Sequence, residues 1–578
     1  MRGIFATLLR EGLLDEKAVG RAQELTSQGK SLDDALREAD GLSEEQVLRF
    51  LAKELHVPYM ELEEFSPPKE LLAKFPARLL LERRLLPVSQ DADGTVVIAT
   101  AKLFDTSALD ELRVTTGVES RPVLAASADI ERCLRRTLGT GAETLQSLAS
   151  EAGEVKVLDD DDNDDLDLTR AAQDASIIKF VNQVLTEALE VRATDVHVEP
   201  FENRLRVRYR VDGVLTEANI PAEVRRFQAA IVSRLKILSH LDIAEKRLPQ
   251  DGRIRLKVSG REIDVRVSVI PMLHGEAVVL RILDSGGAMR TMEQIGMAPR
   301  DRGAFERVLE LPHGIILVTG PTGSGKTTTL YAGLSRINDI DRKIITIEDP
   351  VEYQLPGVNQ IQVSAKTGLT FARGLRAILR HDPDVVLIGE IRDKETAEIA
   401  VQASLTGHLV FSTLHTNDAP GALARLIDMG VEPYLVASSL ELVMAQRLVR
   451  IICPQCKEPI PAPDLAKFHE EFRSEFGADV PPTLYKGKGC RHCQGTGYRG
   501  RQGVFEIMPV TEEIRSLTLE RASTGQVRKV AVREGMKSLR HDGWRLVREG
   551  RTTVEEVMRV TKDEQVNVAL EAPAQASE

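Results

Sequence analysis

Aromatic side chains are scarce in this chain: they make up 4% of it, with a single tryptophan, Trp544. That scarcity argues against the stacked aromatic platforms that grip single-stranded nucleic acid. A net charge of -12 points the same way, away from a protein that works on DNA. No apolar run approaches the ~20 residues that span a bilayer, and the first residues lack the charged-then-apolar pattern of a secretion signal. The expectation is a cytoplasmic protein. Cysteine is rare too: there are five, of which four form two Cys-x-x-Cys pairs while Cys133 stands apart and reads as a core residue. In a reducing compartment such pairs suggest metal rather than disulfides.

What is present is globular material in quantity, 578 residues of which 42% are apolar, enough for three or four cores. Residues 1–140 read as short helices followed by a strand at Thr95–Ala99. Gly12-Leu13-Leu14-Asp15-Glu16 is echoed by Gly41-Leu42-Ser43-Glu44-Glu45, and Ser43 with Gln46 forms a capping box ahead of an apolar stripe at Val47, Leu48, Leu51 and Leu55. Residues 141–174 form a linker whose acidic block, Asp159 to Asp165, repels itself; it lacks the glycine and terminal glutamate of a calcium loop. A domain at 175–290 opens with a helix at Ile177–Leu189. It continues with a period-two strand in which Leu205, Val207, Tyr209 and Val211 alternate with Arg204, Arg206, Arg208 and Arg210, closed by an Asp212-Gly213 turn. A second hairpin turns at Ser259-Gly260. The arginine-rich face serves solubility, a bound phosphate or a neighbouring subunit. Strands and helices then alternate over 295–450, a pattern that predicts a mostly parallel sheet. A cysteine-bearing segment occupies 451–500, a helical region 501–561 with its last helix capped by Thr552 or Thr553, and a tail 562–578.

The chemistry centres on Gly314–Thr327. Ile315–Val318 is a short apolar, β-branched run, and Gly320-Pro321-Thr322-Gly323-Ser324-Gly325-Lys326-Thr327 matches the full phosphate-loop pattern, with Thr328 continuing into a helix. Glycines let backbone N–H groups close around phosphate oxygens, and the helix that follows presents its positive end. Lys326 is expected to reach the β and γ phosphates, and the Thr327 hydroxyl to ligate magnesium. The chain is therefore expected to bind ATP with Mg2+. Three more strands end in polar residues: Ile344–Ile347 in Glu348 and Asp349, Val385–Ile388 in Gly389 and Glu390, and Val410–Leu414 in His415, with His408 ahead of it. Ligands of parallel sheets sit at carboxyl ends of strands, so these ends should border the triphosphate. Gly389 stands where an aspartate commonly holds the metal. Glu390 is accordingly expected to position the attacking water, with Glu348 and Asp349 in the magnesium shell and a histidine, His415, sensing the γ-phosphate.

These motifs carry a resemblance. The stretches 320–331, Ile-Glu-Asp-Pro-Val-Glu-Tyr-Gln-Leu at 347–355, 375–393 and Thr-Gly-His-Leu-Val-Phe-Ser-Thr-Leu-His-Thr-Asn at 406–417 resemble the secretion-ATPase superfamily. Within it the chain is similar to the type II secretion ATPases (the GspE family), with the pilus-extension ATPases of type IV pili as the nearest alternative; the likeness runs from about residue 175 to 560. The resemblance implies an α/β multidomain fold: a mixed α/β N-terminal docking domain, a PAS-like α+β second domain, a RecA-like motor domain and a zinc-binding insertion. It implies a homo-hexamer that couples ATP hydrolysis to pseudopilus assembly, without nucleic acid. The ring is recruited to the inner membrane through a bitopic (GspL-like) protein and a polytopic platform (GspF-like) protein. It also implies arginines at the nucleotide site, at Arg266 and Arg281 from the second domain and Arg376 and Arg380 from the motor, where a guanidinium fork can meet charge on the transferring phosphoryl group.

Cys453-x-x-Cys456 and Cys490-x-x-Cys493 supply four thiolates for a closed tetrahedral Zn2+ site; the 33 residues between the pairs form a looped-out subdomain, and His492 is not counted as a ligand. Redox chemistry of a thioredoxin kind is the alternative. Many relatives open their N-terminal repeats with Arg-Leu-Gly and bind cyclic di-GMP. Here those positions read Gly3-Ile4-Phe5 and Ser31-Leu32-Asp33, so that ligand is not expected. A ring-shaped nucleic-acid translocase would need a basic pore, which the acidic balance disfavours. A non-catalytic nucleotide switch would not need the acids, histidines and arginines assembled above.

Overall fold

The computed structural model describes residues 2–138 (save 11, 12, 29, 31, 39–41, 63, 64 and 105), 175–258, 261–284, 290–460 and 483–561. The acidic linker, the Ser259-Gly260 turn, most of the segment between the cysteine pairs and the tail lie outside the described residues. The chain divides into two compact units, Met1–Asp284 and Ser285–Glu578. No described helix is long and apolar enough to cross a membrane.

The first unit begins with helices Arg2–Arg10, Glu16–Ser27, Leu32–Glu38 and Glu44–Leu55. The capping box forms as the sequence suggests: Gln46 N donates to Ser43 Oγ at 3.3 Å, and Ser43 N to Gln46 Oε1 at 2.8 Å. Val47, Leu48 and Leu51 are buried, but Leu55 is 37% exposed. It is the last helical residue, and the chain leaves the helix at His56 through a left-handed conformation that turns Leu55 off the core. Strands β1 (Leu86–Gln90), β2 (Val96–Thr100) and β3 (Ser120–Leu124) form a three-stranded sheet. Cys133 is buried against it.

The PAS-like part is a six-stranded antiparallel sheet of β4 (Ala193–Pro200), β5 (Leu205–Val211), β6 (Val214–Glu217), β7 (Gln250–Val258), β8 (Arg261–Met272) and β9 (Gly275–Asp284), in the order β6-β5-β4-β9-β8-β7. Helices Ala175–Glu190 and Gln228–Leu238 share its apolar core. The period-two reading of β5 holds, with Leu205, Val207 and Tyr209 buried. Asp212 (φ 48°) and Gly213 (φ 88°) make the turn, both left-handed as a two-residue hairpin requires. The arginines of β5 pair with carboxylates of the same sheet. Arg206 and Arg208 pair with Glu199 at 2.9 and 2.6 Å, Arg204 with Glu217 at 3.1 Å, and Arg210 approaches Asp195 at 3.7 Å.

The second unit is built on a seven-stranded sheet of β10 (Gly314–Thr319), β11 (Ile344–Glu348), β12 (Asn359–Gln362), β13 (Val385–Ile388), β14 (Leu409–Leu414), β15 (Leu440–Ile452) and β18 (Tyr498–Pro509), in the order β12-β11-β13-β14-β10-β15-β18. All neighbours pair in parallel except β15 with β18. Every residue of β10, β11, β13 and β14 is buried, which is why these strands read as continuous apolar runs rather than alternating ones. A small hairpin, β16 (Lys457–Pro459) with β17 (Tyr485–Gly487), stands beside the cysteines. Helices Glu512–Leu519, Thr524–Arg533, Leu539–Arg548 and Val554–Val560 complete the unit and bury Trp544. The cap of the last helix is Thr553, whose side chain accepts from Glu556 N; Thr552 donates instead to Arg450 O at 2.7 Å.

Candidate active site and cysteine cluster

Strand β10 delivers the chain to the phosphate loop, and two glycines there are dictated by space. A Cβ on Gly320 (φ 146°) would sit 2.5 Å from Gln446 O and 2.8 Å from Ser324 Oγ. A Cβ on Gly325 (φ 89°), the residue that starts helix Lys326–Arg336, would lie 2.9 Å from Gln446 Nε2. The loop is fastened from behind: Gln446 on β15 is buried and takes a hydrogen bond from Thr329 at 2.9 Å. Thr319 Oγ1, at the end of β10, ties that strand to the end of β14, donating toward Leu414 O at 3.1 Å and accepting from Thr416 N at 2.8 Å.

The cradle fits a phosphate group. Ser324 Oγ is buried with no hydrogen-bond partner, an orphaned hydroxyl inside the loop. Lys326 Nζ folds back on the loop's own carbonyls, donating to Gly320 O at 2.8 Å and Pro321 O at 3.1 Å. Burial, reinforced by Arg447, holds its ammonium below the usual lysine range, while Glu390 works in the opposite direction. Lys326, Thr327 and Thr328 occupy the first turn of the helix, where free N–H groups and the helix dipole favour an anion.

Glu390 follows β13 and acts electrostatically on Lys326. It bonds Arg392, and His415 Nε2 lies 3.2 Å from its Oε2. Burial alone would push the Glu390 carboxyl up, but Arg392 and His415 outweigh it and hold the group below the usual carboxylate range. Arg392 also reaches Asp349, at 3.8 Å, and so links the ends of β11 and β13. Gly389 is explained by this crowding: a Cβ there would meet Glu348 Cα at 3.3 Å. Lys326, Glu390, His415 and Asp349 are thus brought together.

The remaining candidates are distributed differently. Glu348 is only 3% exposed, and its oxygens accept hydrogen bonds from Tyr331, Thr346 and Gln360. Arg376 pairs with Glu395 at 2.7 Å, and Arg380 donates to Arg376 O at 2.8 Å. His408 precedes β14, six residues upstream of the end that carries His415, and bonds Ala403 O at 2.8 Å. A six-residue strand spans roughly 20 Å, so His408 lies at the opposite, amino end of β14. In the first unit Arg266 stands in register between Arg253 and Arg281, and Arg281 Nε donates to Asp195 at 3.1 Å. Three contributors were missed from sequence. Arg392 was visible in the Gly-Glu-Ile-Arg-Asp run but not separated from it, whereas Gln446 and Arg447, which donates to Asn417 O at 3.1 Å, lie on a distant strand with no local signature.

The four cysteines Cys453, Cys456, Cys490 and Cys493 converge, with Sγ atoms all within 4.8 Å of one another. The Cys453–Cys490 and Cys456–Cys493 separations are 3.8 and 3.7 Å. A disulfide needs about 2.05 Å, whereas sulfurs on a tetrahedral ion at about 2.3 Å stand ~3.8 Å apart. The donor set fits zinc, and the redox alternative loses its geometric support. Burial pushes the Cys493 thiol up, but the N–H groups of Cys490 and Gly497, at 3.1 and 3.3 Å, outweigh it and leave it at about 7.

A phosphate loop at the end of a parallel strand, with acids and a histidine from the neighbouring strand ends facing its lysine, defines a P-loop ATPase of the RecA-like kind. The comparisons with known proteins agree. Residues 170–559 match the model of the family described as Type II/IV secretion system protein, and residues 55–144 match the MshEN domain. Among relatives, the Type II secretion system protein E of Pseudomonas aeruginosa is 55% identical over 69% of this chain and 78% of its own length. That of Xanthomonas campestris is 41% identical over 97% and 98%, and the Type IV pilus assembly ATPase PilB of Myxococcus xanthus is 41% identical over 95% and 97%. The pilus retraction motor PilT, a solved structure with bound ADP, aligns with 66% of this chain and 96% of its own at a TM-score of 0.44 and 26% identity. The chain belongs to the Type II/IV secretion system protein family, as one of its ATPases.

Proposed function

We propose that this chain is the ATPase of a type II secretion system, a homo-hexamer that hydrolyses ATP to drive pseudopilus assembly and protein export. The observation that supports this best is the linkage of Asp349, Glu390 and His415, at three strand ends, through Arg392, with Lys326 of the phosphate loop in the field of Glu390. Lys326, Thr322, Ser324 and the loop N–H groups grip the phosphates. Thr327, Asp349 and Glu348 hold magnesium, which when bound would neutralise charge on the phosphate oxygens. Glu390, kept ionised by Arg392 and His415, orients the attacking water. Arg376, Arg380 and, from the PAS-like part, Arg266 and Arg281 complete the site on assembly. The cysteine cluster holds Zn2+.

The partners proposed are a GspL-like bitopic protein, bound by residues 1–140, and a GspF-like platform protein, which would bring the ring to the cytoplasmic face of the inner membrane. The higher identity to the Pseudomonas aeruginosa secretion protein favours secretion; the full-length match to PilB keeps pilus extension as the second reading. Solubilised secretion-platform and pilus-platform proteins, offered in parallel to the full chain, separate the two by which is retained.

Arginine donation between subunits has a sharp test. Lys326→Ala subunits keep their arginines but have a disabled loop; Arg281→Ala subunits keep the loop but lack the donor. Each alone should be inactive, and mixing them should restore a fraction of wild-type hydrolysis. Mixtures as inactive as their components would show that Arg281 does not act across subunits.

A further inference from the structure

The carboxyl end of β11 holds a polar cluster around Glu348, and the hydrolytic reading gives no part to the residues that hold that carboxylate. Tyr331 lies on helix Lys326–Arg336, four residues beyond Thr327, and is fully buried. Its phenol donates to Glu348 Oε2. The other oxygen, Oε1, accepts from Thr346 Oγ1 at 2.6 Å and from Gln360 Nε2 at 3.1 Å. Gln360 is itself fixed, accepting from Leu355 N at 2.7 Å and lying 3.3 Å from the Tyr331 hydroxyl. Tyr353 packs edge-on against the Tyr331 ring with centroids 4.6 Å apart.

A buried carboxylate without a partnering cation is tolerated only when hydrogen bonds replace its hydration, and here neutral donors on both oxygens do so. The arrangement leaves Glu348 one direction in which to point. It also joins two pieces of the site. One end of the link is the helix whose first turn carries Lys326 and Thr327; the other is the strand whose next residue, Asp349, meets Arg392 and through it Glu390. Deep burial makes the link stiff, since packed interiors shift between discrete arrangements rather than deform continuously.

We propose that Tyr331 is a positioning residue for hydrolysis: its phenol fixes the Glu348 carboxylate relative to the phosphate-loop helix, so that the loop and the acids beyond β11 move together. The proposal rests on the reading of Glu348 as an acid of the ATPase site. It differs from a purely structural tyrosine–glutamate pair, which would set stability and leave turnover alone.

Tyr331→Phe tests it, because it removes one oxygen and keeps the ring and its packing. The expected result, measured where the variant is fully folded, is a kcat lowered by about tenfold or more and a KM for ATP within about twofold of wild type; Tm falls as well, because the buried carboxylate loses a donor. In a Glu348→Gln background the same change should cost less than about twofold further, measured in single turnover, because Tyr331 acts through that carboxylate. Thr346→Val, which removes the Oε1 donor at similar shape, should give the same signature and stands in if Tyr331→Phe fails to fold. A kcat that falls by less than about threefold in the variant tested, or a loss that multiplies fully with Glu348→Gln, overturns the proposal. Wild-type kcat in Glu348→Gln itself would instead defeat the role given to Glu348. The two failures are therefore distinguishable.

Discussion

Lys326→Ala removes steady-state ATP hydrolysis, with kcat/KM falling by at least about 100-fold, the scale set by losing one preorganised group that stabilises phosphoryl charge. The loss follows from how the lysine is held. Its ammonium sits over the loop's first carbonyls and is destabilised by burial, so it gains a strong partner when anionic oxygens enter. The folded chain should survive the change, because among the described residues Lys326 bonds only the backbone of its own loop, while the helix that follows is held to β15 by Thr329 and Gln446. Nucleotide binding and phosphate release, measured together with Tm, check this. Retained hydrolysis with an unchanged KM would remove the loop from the reaction.

Cys453→Ser has the second-largest effect, and it falls on the fold. The four thiol groups lie at separations that suit a tetrahedral ion, and they tie the chain leaving β15 to the segment that leads into β18. A closed four-thiolate site contributes folding free energy directly, of order 10 kcal/mol for small zinc domains. The consequence should travel, because Cys453 directly follows β15, the strand that carries Gln446 and Arg447 to the phosphate loop. Bound zinc is expected to fall from about one ion per chain to near zero, with a lower Tm and reduced nucleotide affinity. Metal analysis and thermal unfolding of the variant check it. Unchanged Tm and metal content would mean that the cysteines hold no structural ion.

The phosphate loop and the cysteine tetrad were legible in sequence because each is specified by a few residues at fixed spacing. The strand ends were legible for a related reason: a buried parallel strand is an unbroken apolar run, and the polar residue that ends it is conspicuous. Contacts made at long sequence separation left no trace. Nothing near Arg447 announces that it borders Gly320, and Tyr331 looks like any apolar helix position until Glu348 is seen beside it. The β5 arginines show a further limit: alternation identifies an outward face but not the carboxylates of β4 that pair with it.

The most direct test of the central claim compares phosphate release by the purified full chain with that of Glu390→Gln, in Mg-ATP at saturating nucleotide. Loss of a water-orienting carboxylate should lower kcat by about 100-fold or more while ATP affinity stays within about threefold. A Glu390→Gln protein that hydrolyses ATP at the wild-type rate would contradict the account, leaving the convergence of Glu390, Arg392 and His415 beside the loop as an ion-pair network without a part in the chemistry.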